Sequence, residues 1–251
     1  MAAFLIIFIS ILITGITANL CCEKENKFIQ SCCDLDYFHF STKPSGVYQT
    51  QLLCGGQQFN SINTFCETGG WTVIQRRFDG SENFDRPWRD YENGFGKIDG
   101  EFWYGLKAMN CLTQTGQWEL RVDFEFFNNT RSYLHYNTFK VGSASEEYRL
   151  TIDGFTGVTP TDPFTLGRPL SGRKFTTFDN DNDAISTTNC AVRIGTNLGN
   201  GGWWYNNCWF INLNAQYYPT EGALFFFAGT WYNPRWVEMK IRPHNCLLET
   251  L

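Results

Sequence analysis

Ten cysteines, at positions 21, 22, 32, 33, 54, 66, 111, 190, 208 and 246, are spread over a chain of 251 residues. Whether they are cross-linked decides which folds are open to the protein, and the compartment decides whether they are cross-linked. The first eighteen residues, Met1 to Ala18, carry no charge and run through Phe4-Leu5-Ile6-Ile7-Phe8-Ile9 to Ile16-Thr17-Ala18. An apolar run shorter than the roughly 20 residues that span a bilayer, ending in small residues, reads as a secretory signal peptide, with a retained N-terminal anchor as the alternative. The expectation is a secreted, extracellular protein without membrane insertion, whose even number of cysteines forms disulfides. No pair shows the Cys-x2-Cys spacing of a zinc site, and only His39, His135 and His244 are available to complete one. The vicinal pairs Cys21-Cys22 and Cys32-Cys33 are expected to send their sulfurs to different partners, in this chain or another, because a bond between neighbours strains the peptide joining them.

Roughly 230 residues follow the leader, enough for one large domain with a sizeable core. With 20 basic against 25 acidic residues there is no electropositive footprint, so nucleic acid is excluded as a natural partner. The sequon Asn128-Asn129-Thr130 makes Asn128 a glycosylation candidate on a surface loop. Residues 19–43 read as a stapled, irregular arm. From Gly46 onward, short β-rich runs at Gly46–Leu53, Trp71–Arg76, Trp118–Phe127 and Glu147–Ile152 are bounded by Gly, Asn or Asp. Aromatic and aliphatic residues at three- and four-residue spacings predict short helices within Asn83–Gly94 and Gly100–Met109, tucked against a sheet. Beyond Gly154, prolines and glycines punctuate a loop-dominated stretch that extends to Asn214. A disulfide and a bound ion are the most economical ways to order such a stretch.

The ion has a candidate site. Asp179-Asn180-Asp181-Asn182-Asp183 packs three carboxylates into a few residues, either as a solvated acidic loop or around a hard cation such as Ca2+. Counting from Asp179 puts Ala184 and Cys190 where an EF-hand needs Gly and Glu, so only a loop site remains. In that site Asp181 and Asp183 point at one ion, and carbonyl oxygens near Ile185 and Thr187 complete it. Enzyme readings fare poorly: no histidine lies near a nucleophile elbow, no carboxylate pair is singled out, and Gly195–Gly202 lacks the Lys-Ser/Thr ending of a phosphate loop. The aromatic run Trp203-Trp204-Tyr205-Asn206-Asn207-Cys208-Trp209 is either core or the rim of a carbohydrate or peptide pocket, with Tyr205 and Trp209 as its stacking surfaces.

Taken in order, Ser45-Gly46-Val47-Tyr48, Gly69-Gly70-Trp71-Thr72-Val73-Ile74-Gln75-Arg76-Arg77, Gly94-Phe95-Gly96, Gly100-Glu101-Phe102-Trp103-Tyr104-Gly105-Leu106, Asp181-Asn182-Asp183, Asn189-Cys190-Ala191, Gly202-Trp203-Trp204-Tyr205 and Met239-Lys240-Ile241-Arg242-Pro243 resemble the fibrinogen C-terminal domain from about residue 33 to 244. The resemblance divides the sequence into a signal peptide (1–18), a cysteine-rich arm (19–32), the domain (33–244) and a tail (245–251). It implies an α+β fold with an N-terminal subdomain, a central twisted antiparallel sheet with short helices, and a loop-rich C-terminal subdomain carrying calcium and the ligand pocket. It also implies disulfides Cys33 to Cys66 and Cys190 to Cys208, Ca2+ held by Asp181, Asp183 and the carbonyls of Ile185 and Thr187, and a cis peptide at Asn207-Cys208. Cys111 with Cys246 is offered as an extra bond, and Cys21, Cys22, Cys32 and Cys54 stay unassigned.

The pocket departs from the family. Trp209 stands where sugar-binding members carry His, and Pro219-Thr220-Glu221-Gly222 replaces a Tyr- and Asp-containing stretch. The expected ligand residues are Tyr205, Asn207, Cys208, Trp209 and Glu221. The expected function is a non-enzymatic recognition module of the ficolin, tachylectin and intelectin type, binding glycans or other patterns on cell or microbial surfaces in innate defence. The alternative is a protein-protein module acting as a receptor ligand or a matrix or clotting component. Cys21 and Cys22 are available to link protomers into an oligomer.

Overall fold

The computed structural model describes residues 29–38, 44–54, 57–157, 162–165, 167–192, 201–217, 225–227, 230–232 and 234–247. The expected signal peptide, Cys21, Cys22 and Glu221 lie outside the described residues. In chain order the elements are α1 (Cys32–Phe38), β1 (Gly46–Cys54), β2 (Gln57–Glu67), β3 (Trp71–Arg77), α2 (Trp88–Asn93), β4 (Phe95–Gly96), β5 (Phe102–Trp103), α3 (Leu106–Thr113), β6 (Trp118–Phe126), β7 (Arg131–Val141), β8 (Leu150–Phe155), β9 (Phe225–Phe227), β10 (Thr230–Tyr232) and β11 (Pro234–Pro243). Among them β1-β2-β3-β11-β6-β7-β8 form the path of a nine-stranded sheet, with β5 attached to β3 and β4 to β5. All its pairings are antiparallel, which is the α+β architecture expected.

The last strand in sequence occupies the middle of this sheet, Glu238 standing opposite Arg76 of β3 on one side and Asp123 of β6 on the other. Because successive residues of a strand face opposite ways, β11 presents Val237, Met239 and Ile241 to one face and Glu238, Lys240 and Arg242 to the other. The apolar row joins Leu120, Val122 and Phe124 of β6 in a core that also receives Leu106, Met109 and Leu112 of α3. The charged row meets Glu119, Arg121 and Asp123 in a lattice of ion pairs.

The expected strands at Gly46–Leu53, Trp71–Arg76 and Trp118–Phe127 are β1, β3 and β6. The run expected at Glu147–Ile152 becomes a strand only from Leu150. Glu147 and Tyr148 take positive φ (51° and 49°) to close the turn that Ser143 and Glu146 start with a capping box. The helices start later than expected: α2 begins at Trp88, with Pro87 at its entry, and α3 begins at Leu106 after Gly105 and runs past Met109 to Thr113, Phe102–Trp103 being a strand where a helix was expected. Gly105 has φ +101°, and a Cβ there would lie 2.9 Å from the backbone between Asn93 and Gly94. Only glycine fits that approach.

The disulfide expectations need two corrections. Cys66 is bonded to Cys32, not Cys33, and Cys33 is bonded to Cys246, which was expected to take Cys111. Cys111 pairs instead with Cys54. The reason is local: the arm is helical from Cys32, and neighbours on a helix project in different directions. Cys32 is buried with Leu35 against Cys66 of β2, and its N–H donates to Thr72 Oγ1. Cys33 sits by Gly70 (φ +77°), its Cα 3.1 Å from where a Cβ would stand, and turns to the C-terminal end. Cys190 to Cys208 is formed as the resemblance implied.

Candidate functional site

The acidic segment is turned outward by its flanks. Thr176 and Trp203 exchange backbone hydrogen bonds (2.9 and 3.1 Å), and Thr177 N–H donates to Asn180 O at 3.0 Å. This bridge sets residues 175–183 beside residues 203–208, and Ala184 N–H continues the contact with Asn206 O at 3.2 Å. The expected metal set and the expected ligand rim are therefore neighbours.

The three carboxylates have different tasks. Asp179 Oδ1 accepts the N–H of Trp88 (2.8 Å) and the hydroxyl of Thr177 (2.7 Å), so it anchors α2. Asp181 is exposed, and its Oδ1 accepts the N–H of Asp183 at 3.3 Å. Asp183 is half-buried; Oδ1 takes the N–H of Ile185 (2.6 Å) and Oδ2 that of Cys190 (2.7 Å). Burial, and next the negative charge of Asp181, push the Asp183 carboxyl above the usual range even though both amide bonds oppose this. Two carboxylates under mutual repulsion on a turn beside a disulfide make a donor set that a hard divalent cation fits. Asn182 and Asn189 hold the turn from beneath. Asn182 Nδ2 donates to Phe175 O (2.9 Å), Asn189 Nδ2 to Thr177 O (3.0 Å), and Asn189 Oδ1 accepts Ala191 N–H (2.8 Å). Ile185 packs on the core and Thr187 is exposed. Among the described residues no three His, Cys, Asp or Glu side chains converge to hold a metal, so a cation here would draw on backbone oxygens as well.

At the rim the expectation changes. Tyr205 is 0% exposed and belongs to the core; its hydroxyl donates to Gly201 O (2.7 Å) and accepts Asn212 Nδ2 (2.8 Å). Trp209 is only 9% exposed. Neither presents a stacking face, because residues 203–209 supply the aromatic layer that joins the loops to the sheet. Phe175 packs between Trp204 (centroids 5.1 Å) and Tyr91 (5.1 Å), and Trp204 Nε1 donates to Tyr148 O at 2.8 Å. Asn207 is exposed and Cys208 partly so, and these two remain at the surface. The peptide between them is trans, not cis as expected, there being no cis peptide among the described residues.

The polar residues of β3 were not foreseen as part of this region. Gln75 Nε2 donates to Leu213 O (2.8 Å) and Asn214 Oδ1 (3.2 Å), while Arg77 Nη1 donates to Ala215 O (2.9 Å). Asn214 Nδ2 reaches Gly202 O at 2.9 Å. The available signal was the change from Thr72-Val73-Ile74 to Gln75-Arg76-Arg77 inside one strand: polar groups buried there need partners.

Comparison with known proteins gives a consistent answer. The family described as fibrinogen beta and gamma chains, C-terminal globular domain, matches residues 29–244. Fibrinogen-like protein 1 of Mus musculus is 38% identical over 88% of this chain and 76% of its own length. Ficolin-3 of Homo sapiens is 41% identical over 77% of this chain and 62% of its own. Fibrinogen C domain-containing protein 1-B of Xenopus laevis is 40% identical, and the match spans 47% of its length. Among solved structures, the fibrinogen-like globe domain of human ANGPTL2 superposes with a TM-score of 0.74 at 34% identity, covering 86% of this chain and 99% of that one. Lamprey fibrin D-dimer, complexed with the peptide ligand Gly-His-Arg-Pro-amide, gives 0.73 at 31% identity, covering 85% and 73%.

Proposed function

This protein belongs to the family formed by the C-terminal globular domain of the fibrinogen beta and gamma chains, and from that membership we propose that it is a secreted, non-enzymatic recognition module braced by one Ca2+. The observation that carries the reading is the joining of the Asp181/Asp183 turn to the Asn206–Cys208 segment by a backbone hydrogen bond and the Cys190–Cys208 disulfide. A cation held by Asp181, Asp183 and the carbonyls of Ile185 and Thr187 would neutralise the paired carboxylates. The protein's own residues do the rest: Asp183 ties the turn to Cys190, and Asn189 and Asn182 fix it over the aromatic layer. Asn207, Cys208 and Glu221 remain the candidates for ligand contact, the ligand being a glycan or another pattern on a cell or microbial surface. Cys21 and Cys22 are left to link protomers, and the exposed turn at Asn128 is suited to a glycan.

The second reading, a protein-protein module, draws support from two observations. The aromatic faces that a sugar would stack on are buried here, and one structural relative carries a peptide. A glycan array with and without calcium, run beside a cell-surface pull-down, separates the two. Calcium-dependent sugar hits support the lectin-like reading, and sugar silence with receptor capture supports the other.

The brace is tested on its own. A ligand that binds only the native state at a hundredfold excess over its Kd adds about 2.7 kcal/mol. Wild-type protein should therefore melt several degrees higher in calcium than in chelator, and Asp181→Ala with Asp183→Ala should abolish the difference. A calcium response that survives the double substitution eliminates this site.

A further inference from the structure

A cleft of about 850 Å³ shares no lining residue with the Asp181 turn. It lies on the charged face of the sheet, against β3, β6, β7 and β11, and its volume falls within the range of about 300–1,000 Å³ typical of small-ligand sites. At its mouth two guanidinium groups share one carboxylate. Arg131 Nη2 lies 2.9 Å from Glu125 Oε2, and Arg235 pairs with Glu125 Oε1. Also lining the cleft, Arg121 covers the ring of Tyr133 at 4.2 Å and pairs with Asp123 at 2.8 Å. Asp123 is also held by Lys240 Nζ, at 2.7 Å.

Four arginines, Arg76, Arg121, Arg131 and Arg235, line the cleft with three carboxylates, Asp99, Asp123 and Glu125, and the two outer guanidinium groups, Arg131 and Arg235, have a single carboxylate, Glu125, between them, in a protein whose net charge is −5. Each guanidinium has five N–H donors in a fixed fork suited to two-point binding of oxyanions. Side-chain exposures of 82% for Arg131 and 46% for Arg235 leave part of those forks turned to solvent. Tyr133 and Trp236 add partly exposed ring surface. The floor strands β3, β11 and β6 have their backbone groups committed to neighbouring strands. An extended peptide therefore cannot join the floor as a further strand, and a compact ring bearing an anion is the better fit.

We propose that this cleft is a second ligand site, for an acidic saccharide whose carboxylate or sulfate is received between Arg131 and Arg235 and whose ring lies toward Tyr133 and Trp236. It does not depend on the calcium turn.

Titration calorimetry of the full secreted protein tests it with sialyllactose as the carboxylated probe, a sulfated heparin disaccharide as the sulfated one, and lactose as the neutral control. At least one acidic probe should bind at low ionic strength and weaken as salt is added, and lactose should not bind. Arg131→Gln with Arg235→Gln should weaken binding tenfold or more, Arg131→Gln alone should weaken it measurably, and Asp181→Ala with Asp183→Ala should leave it unchanged. Silence from both acidic probes, equal binding of lactose, or an affinity indifferent to the arginine substitutions in folded protein overturns the assignment. So does arginine-dependent binding of an oligoglutamate peptide in the absence of acidic-sugar binding.

Discussion

A single carboxylate organises the turn that follows β3. Glu101 is 2% exposed, and its Oε1 accepts the N–H groups of Phe78 (2.6 Å), Asp79 (2.9 Å) and Gly80 (2.9 Å), while Oε2 accepts that of Glu82 (3.2 Å) and lies 3.5 Å from Arg77 Nε. Arg77 is itself buried, its guanidinium 3.9 Å from the Phe84 ring. Removing one partner of a buried ion pair costs about 3–5 kcal/mol, because the other charge is left without compensation. Glu101→Ala should therefore lose about that much in guanidinium unfolding, and Glu101→Gln, which retains an acceptor, should lose less; a loss under about 1 kcal/mol for the alanine variant would contradict this role. Glu101 stands inside the motif Gly100-Glu101-Phe102-Trp103 that carried the family resemblance, yet its task was not legible there. Its partners are backbone amides some twenty residues earlier, and a backbone amide leaves no mark in a sequence. Tyr205 failed in the opposite sense: an aromatic next to amides reads alike whether it faces solvent or the core.

The strand β11 carries two unlike faces, apolar at Val237, Met239 and Ile241 and charged at Glu238, Lys240 and Arg242. Glu238 is buried on the charged side, 2.7 Å from Arg76, and burial together with the nearby charge of Glu67 pushes its carboxyl up to about 7 despite the arginine. A carboxyl with a native pKa above its unfolded value of about 4.5 binds its proton more tightly when folded. Its contribution to stability is thus fully present below about pH 4.5 and is lost as pH rises through about 7. At about 1.36 kcal/mol per unit, the swing is at most about 3 kcal/mol. Urea unfolding should show Glu238→Gln gaining on wild type between pH 5 and pH 8, whereas parallel pH profiles would refute the assignment. The strands with clean alternation or dense β-formers, β1, β3 and β6, were legible in sequence. β7 was not, because its buried positions Leu134 and Tyr136 give way to Phe139 and Val141, a slip of one residue across Asn137-Thr138 that breaks the period of two. The central place of β11 could not be read locally either, since its partners β3 and β6 lie far away in sequence.

On the scale of the whole molecule, the resemblance placed the sheet, the loop-rich half and the Cys190–Cys208 bond, but it gave Cys66 to Cys33, and the clasp from Cys33 to Cys246 between the two ends of the domain was not foreseen. Which of two adjacent cysteines meets Cys66 depends on the orientation of a single helical turn, and nothing in the sequence of the arm reported that turn. The clasp carries its own prediction. In the chain-entropy view, a disulfide across the 213-residue separation of Cys33 and Cys246 contributes about 5 kcal/mol, against about 3 kcal/mol for the separation of 18 between Cys190 and Cys208. Denaturant midpoints should therefore fall further for Cys33→Ser with Cys246→Ser than for Cys190→Ser with Cys208→Ser, and the reverse order would show that native-state effects outweigh loop closure. The same bond also settles how the globe bears a load. A pull entering through the segment before Cys32 and leaving beyond Cys246 passes from one sulfur to the other. The sheet, the turn at Asp181 and the cleft at Arg131 then hang beside the line of tension, not along it, and a tether could be stretched taut without unfolding what it displays.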